Sequence, residues 1–409
     1  MKKQIQNYAK LLAKVGAKIE KGQNVVIYAN VEEADFITLL SKECYKAGAR
    51  TVEVEWNCDA LQRLAFRYED SKVLAHVSAW EEEKMKFRSE QLPVLIKILS
   101  SPPNAMQAVD KEKLTYVTIA KNAIAKKYQD KMTNHYQWCV AAVPSKEWAK
   151  FLFPNERYNT AVQKLWQAIL KASHAYDTNP IDYWAEHNKK LHARCDILNR
   201  YDIESLHYRA KNGTDFTVGL IDSCQFIAGK KYTIEGKGFN PNIPSEECFT
   251  TPHKLSAHGK VVATKPLVYN GDLIEDFYLI FEQGKVVEFG AKKNKELLAK
   301  ILSMDEGASY LGEVALVPQD SPIQQMGLLF YNTLFDENAS CHLALGKGYT
   351  NTFKNFDKLE KQDFLDMGVN DSSIHIDFMI GCDDLQITAM TKDKKEITIF
   401  KDGNFVENL

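Results

Sequence analysis

The sequence predicts a two-domain protein, with an N-terminal α/β domain built on a mainly parallel sheet and a C-terminal α+β domain rich in antiparallel strands. The length of 409 residues is more than one hydrophobic core usually organises. Predicted strands alternate with predicted helices in the first half of the chain, whereas short strands follow one another across turns in the second half. This change of pattern predicts a boundary near residue 200, with domains at 1–200 and 201–409.

The first half alternates between helical and strand patterns. Apolar residues at three- and four-residue steps predict a helix over 2–19, and a continuous apolar strand follows at 24–28. A helix over 32–47 leads to a strand at 51–56, in which apolar and polar residues alternate. Strand, helix and strand at this spacing form a βαβ unit, which implies parallel strands. The further predicted elements are strands at 94–99 and 138–142 and helices at 111–127, 157–173 and 180–199.

An α/β pattern often binds nucleotides, but this sequence lacks the phosphate-binding motifs. No Gly-x-Gly-x-x-Gly follows the first strand, and no complete Walker A sequence occurs. Those motifs expose several backbone N–H groups at the start of a helix, and Gly22 and Gly48 are not placed to do so. We therefore expect the first half to act as a scaffold or as one wall of a site.

Hairpin signals dominate the second half. Asn212-Gly213 lies between predicted strands at 206–210 and 215–220, and such a dipeptide is a strong signal for a tight turn. A second Asn-Gly turn is predicted at Asn270-Gly271. The remaining predicted elements are strands at 276–281, 285–289, 374–380, 385–391 and 395–400, with a helix over 292–304.

Composition and charge exclude several classes of partner. Lysine and arginine number 52 and aspartate and glutamate 54, a balance that gives no support to nucleic-acid or membrane-surface binding. No apolar run reaches the roughly 18 residues that a membrane span needs, and no apolar core follows the charged N-terminus as in a signal peptide. The eight cysteines are scattered without a Cys-x-x-Cys pair, which is typical of reduced thiols. We therefore expect a cytoplasmic protein.

His375-x-Asp377 is the clearest sign of a metal site. The surrounding run of apolar residues predicts a strand, and residues two apart on a strand share a face. An imidazole beside a carboxylate suits Zn²⁺, Mn²⁺ or Co²⁺ better than Ca²⁺. A buried histidine with a helper carboxylate explains the same pattern without a metal. His187 and His192, on a polar helix, are expected in solvent rather than on a metal.

Three other stretches carry candidate site residues. Glu246 and Glu247 lie between two prolines, which indicates an ordered extended loop, although two adjacent glutamates also suit a surface. Glu313 lies in an apolar strand, where an ionised carboxylate needs a partner such as a metal ion. Tyr349, after Gly346-Lys-Gly, is either a packed ring or a phenol held near the site.

Together these residues resemble the aminopeptidase S/T family, the bacterial thermophilic-type dinuclear metalloaminopeptidases. The resemblance covers essentially the whole chain. Its motifs are Asn242-x-Pro-x-x-Glu247-x-Phe-Thr-x-Pro252, Gly312-Glu313-Val314-Ala315, Ser340-x-His342-x-Ala-x-Gly-x-Gly-Tyr349 and His375-x-Asp377, with Ala47-Gly-Ala-Arg50 after the second predicted helix.

The resemblance implies a homodimeric exopeptidase that releases N-terminal amino acids from peptides by a water activated by two divalent metal ions. The ions would be Zn²⁺ or Co²⁺, with Mg²⁺ or Mn²⁺ as alternatives. The implied metal ligands are Glu247, Glu313, His342, His375 and Asp377, and the implied catalytic residues are Glu247, Glu313 and Tyr349. One departure is that Glu246 stands where the family usually has glycine. Because neighbours in an extended loop point in opposite directions, we expect Glu246 to face solvent or the rim of the pocket.

Two alternatives remain open from the sequence. One keeps the two metal ions but changes the reaction to that of an amidase or a phosphoesterase. The other is a non-catalytic binding protein that a metal ion stabilises. A serine hydrolase and a zincin are excluded, because neither Gly-x-Ser-x-Gly nor His-Glu-x-x-His occurs.

Overall fold

The computed structural model describes residues 1–269 and 271–407, so Asn270 of the second predicted turn lies outside the described residues. The chain forms two compact units. The first comprises Met1–Trp184 and Lys230–Pro244, and the second comprises Ala185–Gly229 and Ser245–Leu409. Each unit thus includes a segment from the other side of residue 200. The domain division at 1–200 and 201–409 stays a prediction.

The α-helices are α1 (Lys2–Leu11), α2 (Ala34–Ala47), α3 (Asp59–Tyr68), α4 (Ser71–Ala75), α5 (Ala79–Gln91), α6 (Lys111–Met132), α7 (Lys146–Leu152), α8 (Tyr158–Ala172), α9 (Pro180–Arg200), α10 (Lys295–Leu302), α11 (Thr333–Asp336) and α12 (Lys361–Asp366). In the residues that the structure describes, no helix is both long enough and apolar enough to span a bilayer.

The strands are β1 (Asn24–Asn30), β2 (Thr51–Asn57), β3 (Val94–Leu99), β4 (Trp138–Ala142), β5 (Ile203–Arg209), β6 (Asp215–Gly219), β7 (Ile227–Ala228), β8 (Lys231–Tyr232), β9 (Gly238–Phe239), β10 (Cys248–Thr250), β11 (His258–Val262), β12 (Leu267–Tyr269), β13 (Asp272–Glu282), β14 (Lys285–Lys293), β15 (Leu311–Leu316), β16 (His342–Gly346), β17 (His375–Met379), β18 (Gln386–Thr391), β19 (Glu396–Lys401) and β20 (Asn404–Phe405).

The first unit contains a parallel sheet in the order β2-β1-β3-β4. The elements β1, α2 and β2 form the predicted βαβ unit. Helix α2 ends where Gly48 adopts a left-handed conformation with φ +116°. The predicted α/β class of this half is therefore confirmed. The predicted helix over 2–19 was too long, because a π-helical turn replaces regular α-helix at Leu12–Gly16.

Helices α3, α4 and α5 were not predicted. No residue of α3 is fully buried, so its apolar side chains do not mark a core-facing stripe. The start of α5 did carry a local signal, since Ser78 and Glu81 form a capping box.

The second unit is built from antiparallel sheets. The larger sheet runs β12-β13-β11-β6-β5-β18-β19-β20, with β14 beside β13, and the smaller runs β17-β16-β15-β10-β7. One core contains side chains from both sheets, among them Phe277 of the larger sheet and Phe378 of the smaller, whose ring centroids are 5.9 Å apart. The predicted α+β class and the hairpin at Asn212-Gly213, between β5 and β6, are confirmed.

Candidate metal centre

The strands β15, β16 and β17 have one face in the core and one face that carries polar side chains. Val314, Leu343 and Ile376 belong to the hydrophobic core. Because side chains alternate along a strand, their neighbours Glu313, His342, His375 and Asp377 point to the opposite face. His375 and Asp377 therefore share a face, as the period of two predicted.

The register of the sheet aligns two carboxylates across three strands. Glu313 of β15 pairs with Ala344 of β16, and Ala344 pairs with Asp377 of β17. Residues that pair directly in antiparallel strands lie on the same side of the sheet. The methyl group of Ala344, which is fully buried, thus lies between the two carboxylates.

Two overlapping sets of side chains lie close enough to hold a metal ion. The first is Glu247, Glu313 and His342, and the second is Glu313, His375 and Asp377, each with its candidate ligand atoms within 4.8 Å of one another. In the first set, His342 Nε2 is 3.5 Å from Glu247 Oε2. In the second, His375 Nε2 is 3.0 Å from Glu313 Oε2 and 3.3 Å from Asp377 Oδ1.

Main-chain carbonyls orient both imidazoles. His342 Nδ1 lies 3.1 Å from the carbonyl oxygen of Ser340, and His375 Nδ1 lies 2.8 Å from that of Lys347. Since a carbonyl only accepts hydrogen bonds, each Nδ1 carries a proton and donates it. Each Nε2 is then the atom that faces the carboxylates, which is the usual arrangement for a metal-binding histidine.

The carboxylates of this centre carry negative charge that a divalent cation would balance. Burial by itself would lower the pKa of His375, but Asp377 and Glu313 outweigh it and hold that pKa well above its ordinary value. The pKa of His342 is raised in the same way, by Glu313 and Glu247 acting against burial. In the absence of another cation, protons on the imidazoles offset the carboxylates. Imidazole nitrogens with carboxylate oxygens are ligands that Zn²⁺, Co²⁺ and Mn²⁺ accept, so the donor set fits such an ion.

Glu247 and Glu246 lie just before β10, and both are buried. Glu247 shares the ligand-bearing face with Phe249, because Phe249 pairs with Ala315 on the same side of the sheet as Glu313. The expectation that Glu246 faces solvent or a pocket rim was wrong, since it is only 7% exposed. It packs inward near His187, whose Nε2 is 3.7 Å from Glu246 Oε2.

The expectation that His187 lies in solvent was also wrong. Its Nε2 lies 2.8 Å from the carbonyl oxygen of Ser245, and only 10% of its side chain is exposed. The polar character of α9 suggested a solvated ring, but the segment before β10 covers this part of the helix. Neither His187 nor His192 belongs to the metal-ligand sets found in the described residues.

Tyr349 lies beside the second set. Its ring centroid is 4.7 Å from that of His375 and 5.5 Å from that of Phe249. Burial and the surrounding carboxylates, Glu313 first among them, raise the pKa of Tyr349 well above its ordinary value. The phenol therefore keeps its proton and can act as a hydrogen-bond donor at this centre.

Glu337 is a further carboxylate of this centre that the sequence did not reveal. It lies in the 3-10 turn Glu337–Ala339, between α11 and β16. Burial raises the pKa of Glu337 well above its ordinary value, and the charges of Glu247 and Asp377 raise it further. The one signal in the sequence is its position five residues before His342, since the turn has no strand or helix periodicity.

Imidazoles and carboxylates gathered in two sets that share Glu313, on one face of a sheet, are the donor groups of a metal-dependent enzyme. The chain belongs to the thermophilic metalloprotease family (M29), whose model matches residues 1–405. It is 40% identical to Aminopeptidase 2 of Geobacillus stearothermophilus over 408 residues, which cover 100% of this chain and 98% of that protein.

Two further relatives match nearly the whole chain. Aminopeptidase AmpS of Bacillus subtilis is 36% identical over 402 residues, covering 98% of each chain. The solved structure of wild-type AmpT from Thermus thermophilus superposes with a TM-score of 0.92 at 33% identity and covers 99% of each chain. The predicted family and the predicted class of enzyme, a metal-dependent aminopeptidase, are confirmed. This match favours the exopeptidase over the phosphoesterase and over the non-catalytic binding protein.

Proposed function

We propose that the chain releases N-terminal amino acids from peptides at a centre that holds two divalent metal ions. One ion would be held by Glu247, Glu313 and His342, and the other by Glu313, His375 and Asp377. The observation that carries this proposal is that Glu313 belongs to both sets of ligand atoms. A carboxylate with two oxygens can bridge a pair of ions, and Glu337 would complete the coordination from the adjacent turn.

Bound divalent ions supply a Lewis acid for the scissile carbonyl and lower the pKa of water towards neutrality. The chain's own groups must then position the ligands and stabilise the developing charge. The carbonyls of Ser340 and Lys347 keep Nε2 of each histidine directed into the centre. The hydroxyl of Tyr349 stays protonated and would donate a hydrogen bond to the developing oxyanion, an interaction that contributes strongly in acyl transfer.

The donor set indicates which metals the centre prefers, and the coordination positions that it leaves open indicate the substrate. Two imidazoles among carboxylates favour Zn²⁺ or Co²⁺, with Mg²⁺ or Mn²⁺ as weaker alternatives. An exopeptidase must recognise a free α-amine, and an amine can occupy an open coordination position that the protein ligands leave. We therefore propose peptides with a free N-terminus as substrates.

The test is to assay metal-stripped protein on amino-acid p-nitroanilides and short peptides while Zn²⁺, Co²⁺, Mn²⁺ or Mg²⁺ is added back. We expect no hydrolysis without metal and recovery with at least one of these ions. N-acetylated versions of the same peptides should be poor substrates. Full activity in protein shown by elemental analysis to be metal-free would refute the metal mechanism, and equal rates on free and blocked peptides would refute the exopeptidase.

We further infer a homodimer in the cytoplasm. The homodimer rests on the resemblance to the aminopeptidase S/T family, and the cytoplasm on the scattered cysteines, all of which are free thiols in the structure. Light scattering coupled to size-exclusion chromatography tests the first inference. Cell fractionation tests the second.

A further inference from the structure

A buried amide, that of Asn338, contacts Glu337 and the backbone just before the proposed ligand Glu247. Asn338 has no exposed surface. Its Oδ1 accepts a hydrogen bond of 2.7 Å from the backbone N–H of Glu246. Its Nδ2 donates to Glu337 Oε1 at 3.3 Å and to the carbonyl oxygen of Leu334 at 2.9 Å. The acceptor and both donors of one side chain are therefore in use.

These contacts orient Glu337 and the segment that carries Glu247. The N–H of Glu246 belongs to the residue just before Glu247, so Oδ1 holds the short segment that leads to this ligand. The Nδ2 donor orients the carboxylate of Glu337. Asn338 also lies four residues before His342, in the turn that leads into β16.

The ligands of the second set are held by different groups. The carbonyl of Lys347 fixes His375, as described above. The carboxylate of Asp305 accepts a hydrogen bond of 2.7 Å from the N–H of Ser373, just before β17. Neither of these two anchors of the strand that carries His375 and Asp377 involves the side chain of Asn338.

We infer that Asn338 is a positioning residue that sets the affinity of the ion held by Glu247, Glu313 and His342 and leaves the other ion largely unaffected. This inference rests on the proposed two-ion function. Groups that orient metal ligands typically change metal affinity by about 10- to 100-fold when they are removed. A change in the affinity for one ion alone distinguishes this role from a general loss of stability.

The experiment titrates metal-stripped protein with Co²⁺, followed by visible absorption and by calorimetry. The variants are Asn338→Leu, which keeps the branched shape of the side chain but removes its hydrogen-bonding groups, and Asn338→Ala, which is used if the larger leucine prevents folding. We expect the wild type to bind two ions. In the variants, one ion should bind as before, and the dissociation constant of the other should rise by about 10- to 100-fold.

Asn199→Leu is the matched control. The side chain of Asn199 donates to the carbonyl of Phe226 at 3.0 Å and accepts from its N–H at 2.7 Å, in the same unit. This variant should lower the thermal midpoint but bind both Co²⁺ ions like the wild type.

Two results would overturn the inference, and they are distinguishable. If the Asn338 variants bind both ions with wild-type affinity and lose only thermal stability, the side chain merely supports the turn after α11. If the wild type itself binds no Co²⁺, or cleaves no peptide with any of the four ions, the proposed function fails and this inference fails with it.

Discussion

Nε2 of His375 lies 3.0 Å from Oε2 of Glu313, although 62 residues separate them in the chain. The contact joins β17 to β15 across β16, so it depends on the pairing of three strands. It also places Glu313 in both sets of ligand atoms. Glu313 is therefore the residue whose loss should have the widest effect on the centre.

Glu313→Gln should lose both metal ions and reduce kcat by orders of magnitude, because a neutral amide cannot bridge two cations. Metal content by elemental analysis and kcat on a p-nitroanilide measure the two effects. Glu282→Gln is the control, since Glu282 is exposed at the end of β13 and should retain both properties. Retention of two ions by Glu313→Gln would contradict its bridging role.

Glu247→Gln and Glu246→Gln should differ, although the residues are adjacent and both are buried. Glu247 points to the ligand-bearing face and should lose one ion and most of the activity when it is changed. Glu246 points towards His187, so its variant should keep both ions and change kcat/KM modestly. Metal stoichiometry and kinetics are measured side by side. The assignment is off by one residue if it is Glu246→Gln that loses the ion.

Tyr349→Phe should lower kcat by about ten- to a thousandfold while the metal content stays at the wild-type value, as expected for the loss of one oxyanion donor. Steady-state kinetics with elemental analysis on the same samples checks this. Phe249→Leu, which alters the ring packed against Tyr349 but not its hydroxyl, serves as the comparison and should change kcat less. An unchanged kcat in Tyr349→Phe would mean that the ring only packs.

Ala344→Leu should abolish metal binding, because an isobutyl group would fill the space between Glu313 and Asp377. Its matched control is Leu343→Met, a substitution of similar volume on the core face of the same strand, for which about 1.5 kcal/mol or less of destabilisation is expected. Calorimetric titration with Zn²⁺ and thermal unfolding compare the two variants. Normal metal binding by Ala344→Leu would show that the ions do not lie above the row formed by Glu313, Ala344 and Asp377.

Metal should stabilise the protein more as the pH rises. The raised pKa values of His342 and His375 in the metal-free protein reflect protonated rings beside carboxylates, and that stabilisation is fully present below the unfolded pKa of about 6.5. It is lost as the pH rises through the raised folded-state values. Metal binding instead needs neutral imidazoles.

The gain in Tm on adding Zn²⁺ to stripped protein should therefore increase from about pH 6.5 upward. Thermal scans with and without metal at a series of pH values measure this gain. A gain that is constant or falls with pH would mean that the histidines do not bind the ion.

The sequence by itself determined the fold class and most of the candidate ligands. The βαβ pattern of the first half follows from local periodicity and from the stop at Gly48. His375 and Asp377 share a face because the period of a strand is two, whatever the strand packs against. Glu313 stood out as a carboxylate in an apolar strand, and the resemblance, whose motifs are contiguous in the chain, assigned Glu247 and His342 as ligands.

Only the tertiary structure decided which of these groups lie close together and which neighbouring residues hold them in place. Alternation states that Glu246 and Glu247 point apart, but it does not state that α9 covers Glu246, so its burial against His187 was missed. Glu337 and Asn338 lie in a turn without periodicity, and their roles arise from contacts with distant segments. The physical reason is that contacts between segments far apart in the chain decide which strands pair and what packs against a turn, and local periodicity does not specify those contacts.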